Sequence, residues 1–105
     1  MRFKLFYLSF NPLHIKKINR ETEKSVSIVF DVPKKLESTY SFKAGQYLTL
    51  KTTINHQEII RSYSICSAPK SGDLKIAIKA IPNGVFSNYA VKNLKVGDIL
   101  EVSPP

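Results

Sequence analysis

Apolar and polar residues alternate along most of this chain. Val26, Ile28, Phe30 and Val32 take every second position, with Ser25, Ser27, Val29 and Asp31 between them. That is the period-two pattern of a strand half buried against a core. Pro33 ends the run. Ile15 and Ile18 mark an earlier strand over residues 14–20, with residues 21–24 as the turn. KKLESTYSF, residues 34–42, reads as a polar loop, and Gly45 then stands as a turn residue before a strand over 47–51. Residues 57–67 form a longer run that is β-branched at Ile59 and Ile60. Ser71-Gly72-Asp73 turns the chain into Leu74, Ile76 and Ile78, which alternate with Lys75, Ala77 and Lys79. Lys95-Val96-Gly97-Asp98 repeats the turn-then-strand style before a last strand over 99–102. About six short strands divided by turn signals predict an all-β barrel or sandwich. The expected architecture is a six-stranded antiparallel Greek-key barrel with one short helix.

The helix is expected where the period changes. In NGVFSNYAVKNL, residues 83–94, Val85 and Tyr89 fall at i, i+4 spacing, joined by Phe86, Ala90 and Leu94. A helix near 84–93 follows, with Asn83 and Gly84 at its entrance.

Composition narrows the class. With 105 residues and 43% apolar content, the chain can bury one core but not two. The single cysteine, Cys66, rules out an intrachain disulfide; it fits a reducing cytoplasm and reads as a quiet packed thiol. The apolar patch from Leu5 to Phe10 is broken by Asn11 and Pro12, too early for a signal peptide or a membrane span. The net charge of +8 invites nucleic acid, an acidic partner or a phosphorylated ligand. Yet the basic residues are scattered singly or in pairs, as a solvated surface would also have them. His14 and His56 have no partner pattern, and no metal-ligand set is expected. Pro104 and Pro105, straight after a strand, read as a linker toward a further domain.

Two stretches carry chemistry. The first is RSYSICSAP, residues 61–69. On a strand Arg61, Tyr63 and Ile65 share one face, and Ser62, Ser64 and Cys66 the other. Arg61 can hold a phosphate through a charge-assisted fork, Tyr63 can lie against a planar ring, and Ser64 can hydrogen-bond a ring nitrogen. A plain barrel strand with an exposed arginine accounts for this stretch equally well. The second is NGVFS, residues 83–87, a glycine at a strand-to-helix junction with a hydroxyl three residues on. The N–H groups and positive dipole end of a helix start favour a phosphate, Gly84 lets it approach the backbone, and Ser87 can add its hydroxyl. Taken alone, Asn83 or Ser87 could be an ordinary cap. Together the two stretches offer a ring platform, a cation and a phosphate cradle, which is what a flavin nucleotide needs.

R-x-Y-S at 61–64 followed by G-x-x-S at 84–87 resembles the flavin domain of the ferredoxin–NADP reductase superfamily. AGQYLTL, LKIAIKAIPNGVFSNY and VGDILEVSPP are similar to the family's strands and helix, so the resemblance runs from His14 onward. Within that superfamily, RETEKSVSIVFDVP, FKAGQYLTLKTTI, RSYSICSAP and NGVFSNYA look closest to the reductase components of phenylacetyl-CoA epoxidase systems.

The resemblance implies that residues 1–105 are an FAD-binding barrel domain, with nicotinamide-binding and 2Fe-2S ferredoxin-type domains downstream. It implies an NAD(P)H-dependent oxidoreductase that passes electrons from a nicotinamide through flavin to an iron–sulfur centre, with an oxygenase component as acceptor. These 105 residues contain no Gly-rich dinucleotide unit, and one cysteine cannot ligate a cluster, so the chain alone is not expected to turn over. Carried over residue by residue, Arg61 would contact the flavin phosphate, Tyr63 would stack on the isoalloxazine, and Ser64 would stand near flavin N5, where hydride arrives. Lys79, Ala80 and Ile81 would line the cofactor largely through backbone. Gly84, Val85, Phe86 and Ser87 would form the pyrophosphate cradle. FAD is favoured over FMN, because that cradle can serve a second phosphate beyond the one Arg61 holds. A rival reading from another class is a basic β-barrel that binds single-stranded nucleic acid. The paired motifs speak against nucleic acid as a partner, and nothing points to a membrane.

Overall fold

In the computed structural model, residues 9–105 are described, so most of the apolar patch that begins at Leu5 lies outside them. Strands β1 (Asn11–Thr22), β2 (Ser25–Asp31), β3 (Tyr47–Ile54), β4 (Gln57–Ser64), β5 (Leu74–Lys79) and β6 (Ile99–Ser103) form one sheet, and helix α1 (Val85–Asn93) lies between β5 and β6 in the chain. The order across the sheet is β4-β3-β6-β1-β2-β5, and each neighbouring pair is antiparallel. The sheet curls until its two edges meet at one place. Ile65, just beyond β4, bridges Ile76 of β5, and the Cys66 N–H donates to the Lys75 carbonyl at 2.8 Å. The result is the expected six-stranded Greek-key barrel, closed at one end of the β4–β5 seam.

Turn chemistry sets the strand starts. Lys43-Ala44-Gly45-Gln46 and Lys95-Val96-Gly97-Asp98 close alike. Gln46 N–H donates to Lys43 O at 3.2 Å and Asp98 N–H to Lys95 O at 3.0 Å. In each turn the fourth side chain accepts back from the first residue's N–H. Gly45 and Gly97 stand at φ +91° and +94°, the left-handed third position of a type II turn.

Leu13, Ile15, Ile28, Leu48, Leu50, Ile76, Ile78 and Val102 fill the interior, and Phe86 of α1 closes it. Three expectations are corrected. β1 is longer than residues 14–20, because two bulges, at Ile15/Lys17 and Arg20/Thr22, carry it on where simple alternation fails. β2 is not half buried: every residue from Val26 to Phe30 is buried, and Ser27 satisfies its hydroxyl by donating to Glu21 Oε2 at 2.7 Å. Residues 34–42 are not simply a polar loop. They hold a 3-10 turn, Lys34–Leu36, and bury Tyr40, whose hydroxyl donates to the Val102 carbonyl at 2.6 Å and accepts from Asn11 Nδ2 at 3.1 Å. Burial pushes the Tyr40 phenol above its ordinary range. Among the described residues no helix is long and apolar enough to cross a membrane.

Candidate functional site

β4 is an edge strand, paired with β3 alone along its length. Ile59, Arg61, Tyr63 and Ile65 alternate onto its inner face. Ile59 and Ile65 are buried there, as are Leu48 and Leu50, the cross-strand partners of Tyr63 and Arg61. A core strand would bury residues 61 and 63 as well. Here Arg61 is exposed and Tyr63 half-buried, because the sheet has not closed over them. The Arg61 guanidinium donates only to the Ile60 carbonyl, at 2.7 Å, among the described residues, which leaves most of its donors free. Burial raises the Tyr63 phenol above its ordinary range, and the nearby Arg61 charge opposes that shift, so the ring stays neutral and apolar at physiological pH. Ser64 ends β4 opposite Tyr47; both are exposed, on the outer face.

The second stretch lies across the seam. The chain leaves β5 through Lys79 and Ala80, with the Ala80 N–H donating to the Lys24 carbonyl at 2.7 Å. It then turns through Ile81, Pro82 and Asn83, with Asn83 left-handed at φ 63°. Gly84 caps α1 without a side-chain cap and without positive φ. Its reason is space: a Cβ there would run into Ser87 Oγ and Ile81 Cγ1 and lie 3.2 Å from the Ile81 carbonyl oxygen. Gly84 therefore lets the turn close on itself. Ser87 is buried, and its Oγ accepts from the Ile81 N–H at 3.2 Å, so its hydroxyl braces the turn. The expectation for Cys66 is corrected: the thiol is exposed and not packed.

The turn leaves the N–H groups of Val85, Phe86 and Ser87 without a partner among the described residues, since the first helical bond runs from Asn88 N–H to Gly84 O at 3.2 Å. No acidic side chain lies in that first turn to neutralise the dipole. At the far end, Arg20 donates to the Val91 carbonyl at 2.9 Å and to the Glu23 carbonyl at 3.1 Å, tying α1 to the β1–β2 turn. Ile81 and Val85 leave apolar surface at the helix entrance, 57% and 44% exposed.

The structure joins the two stretches directly. The Tyr63 ring lies against the Phe86 ring, centroids 5.8 Å apart and tilted by 44°. Phe86 buries its side chain in the core, so only its N–H is available to a ligand. The arrangement is a half-buried ring, a free guanidinium on the same strand face, and a row of open N–H groups at a helix start. The donor set fits a flat ring carrying phosphates. The sequence reading missed Tyr47, which is 58% exposed beside Ser64, and Arg20, whose partner is remote in the chain. The cross-strand register points to Tyr47, whereas no local signal marks Arg20. The nucleic-acid reading fares worse. Tyr47 is the one largely exposed aromatic ring among the described residues, not the row of rings that a single strand needs.

Barrel, seam and helix start define a flavin-binding domain of the oxidoreductase type. The family model for the oxidoreductase FAD-binding domain matches residues 12–105, and the chain belongs to that family. Among its relatives, one of the subunits of 1,2-phenylacetyl-CoA epoxidase from Escherichia coli is 41% identical over 97 residues, which cover 92% of this chain and 27% of that protein. The ferredoxin reductase component of 3-ketosteroid-9-alpha-monooxygenase from Rhodococcus rhodochrous is 35% identical, over 89% of this chain and 27% of its own length. A ferredoxin NADP+ reductase from Neisseria gonorrhoeae, solved with bound FAD and NADP, superposes with a TM-score of 0.76 at 26% identity, over 90% of this chain and 37% of that one. The chain thus spans about a quarter of the length of these two curated relatives. Two of the three are named as ferredoxin reductases, and nothing among them supports a nucleic-acid role.

Proposed function

We propose that this chain is the FAD-holding domain of an NAD(P)H-dependent reductase that delivers electrons through an iron–sulfur centre to an oxygenase. Phenylacetyl-CoA epoxidation, in phenylacetate breakdown in the cytoplasm, is the reaction it would serve. The 41% identity to the phenylacetyl-CoA epoxidase relative supports the specific role. The observation that carries the general one is the contact of Tyr63 with Phe86, which sets the R-x-Y-S strand beside the G-x-x-S helix start across an open seam.

Bound FAD supplies the chemistry, taking up a hydride as an electron pair and giving electrons out singly. The chain's residues hold and orient. Arg61 pairs with a phosphate as a fork donor. Tyr63, held in place by Phe86, backs one face of the ring. Ser64, at the strand end, would stand near N5 through its backbone, since its side chain lies on the outer face. Lys79, Ala80 and Ile81 line the cofactor through their backbone. Val85, Phe86 and Ser87 give N–H donors to the pyrophosphate, and Gly84 with Ser87 keeps the turn shut behind them. Nicotinamide-binding and ferredoxin-type domains of the same protein would supply donor and acceptor. The test is a titration of apoprotein with FAD and FMN, followed by reconstitution of the full-length protein with a phenylacetyl-CoA epoxidase oxygenase. Tighter FAD binding and NAD(P)H-driven epoxidation are expected. Absence of flavin binding would refute the general reading, and flavin reduction without epoxidation would refute the specific one.

A further inference from the structure

We propose that Asn88 is a positioning residue for the phosphate cradle, an inference that rests on the FAD reading. Asn88 Nδ2 donates to the Gly84 carbonyl at 2.7 Å and to the Ile81 carbonyl at 2.9 Å. Both partners are acceptors, so the amide can stand only with its nitrogen toward them. Each carbonyl also accepts a backbone N–H, Ile81 O from Gly84 at 3.0 Å and Gly84 O from Asn88 at 3.2 Å. Both oxygens thus have their two lone pairs engaged within the turn.

The consequence is electrostatic. The two carbonyls are held back toward the helix body, and the N–H groups of Val85, Phe86 and Ser87 face the other way. An anion arriving at the helix start meets those donors, and the Ile81 and Gly84 carbonyls are not free to turn toward it. Packing does not hold this turn, since Ile81, Pro82 and Asn83 are all exposed. Hydrogen bonds hold it instead. The Ile81 peptide is fixed at both ends, its N–H by Ser87 Oγ and its carbonyl by Gly84 and Asn88. Asn88 never touches the cofactor; it acts through the turn.

The test compares FAD with riboflavin, which presents the same ring without phosphates, on the full-length protein by fluorescence titration. Asn88→Ala removes both amide bonds and is expected to weaken FAD about tenfold. Riboflavin affinity should stay at the wild-type value. Asn88→Asp sets a carboxylate against two carbonyl oxygens and is expected to weaken FAD further than the alanine variant, again without moving riboflavin. An alanine variant that binds FAD as wild type does, or that loses FAD and riboflavin in equal proportion, would overturn the proposal while leaving the FAD reading intact. Wild-type protein that binds no FAD would overturn that reading, and the proposal with it.

Discussion

β2 and β4 are strands of nearly equal length with opposite fates. Seven residues of β2, SVSIVFD, include five buried in a row, with Val26, Ile28 and Phe30 in the core and Ser27 and Val29 covered on the opposite face. Eight residues of β4, QEIIRSYS, bury only Ile59. The difference lies in their neighbours. β2 is flanked by β1 and β5, whereas β4 is the sheet's edge and meets β5 only at the Ile65–Ile76 bridge. An unclosed edge is ordinarily a liability, since it offers unpaired backbone groups and uncovered side chains. Here it leaves the inner face of a core strand reachable from solvent, and the residues on that face, Arg61 and Tyr63, are ones that a ligand can use. The barrel is stabilised where it closes, and the proposed site lies where it does not.

Substitutions can break this contrast. The largest effect is expected at Phe86, which belongs to both regions as a buried side chain of the core and the brace of Tyr63. Phe86→Ala should cost about 3–5 kcal/mol of stability, with FAD binding lost alongside. Ile28→Ala in β2 should cost about 2–5 kcal/mol, against under ~0.5 kcal/mol for Ile60→Ala on the outer face of β4. Paired denaturant titrations measure both; equal costs would remove the contrast.

Tyr63→Ala is expected to weaken FAD by about 0.5–1.5 kcal/mol through lost stacking, beyond the lost contact area, as read by isothermal titration. Smaller still is the effect of alkali. The phenols of Tyr40 and Tyr63 have folded values raised above the ordinary 10.0. Between the unfolded and the raised folded values, the unfolded chain releases protons that the folded chain keeps. Stability is therefore complete below pH ~10 and falls as pH rises through the folded values. Melting temperatures across pH 8–11.5 should show that fall, and Tyr63→Phe should lessen it.

Most of this architecture was legible because alternation reports strands and turn residues report their ends. The six strands, the helix and the pairing of two chemical motifs all came from local pattern. What escaped is set by contacts remote in sequence. Tyr40 lies in a polar run, and only its bond to the Val102 carbonyl explains its burial. The burial of Ser27 depends on Glu21 reaching across a turn. The length of β1 was hidden by bulges, which shift the period that the eye follows. At the site, residue types were readable but not their division of labour. Gly84, Phe86 and Ser87 read as ligand contacts by type; in the structure Gly84 and the Ser87 hydroxyl serve the turn and the Phe86 side chain the core, which leaves the N–H groups of Phe86 and Ser87 as the donors they can offer.

The central claim is that the inner face of β4 is a binding surface and not core. Arg61→Ala tests it most directly, with FAD titrated at several ionic strengths and thermal melts run in parallel. The variant should melt like the parent, since Arg61 is exposed. Loss of a charge-assisted phosphate contact should weaken FAD by ~1.5–3 kcal/mol, or roughly 10- to 150-fold. The fall of affinity with salt should flatten, because the screened charge is gone. A variant that melts like the parent and binds FAD with the parent's affinity and salt dependence would contradict the account, leaving residues 61–69 as an ordinary barrel strand.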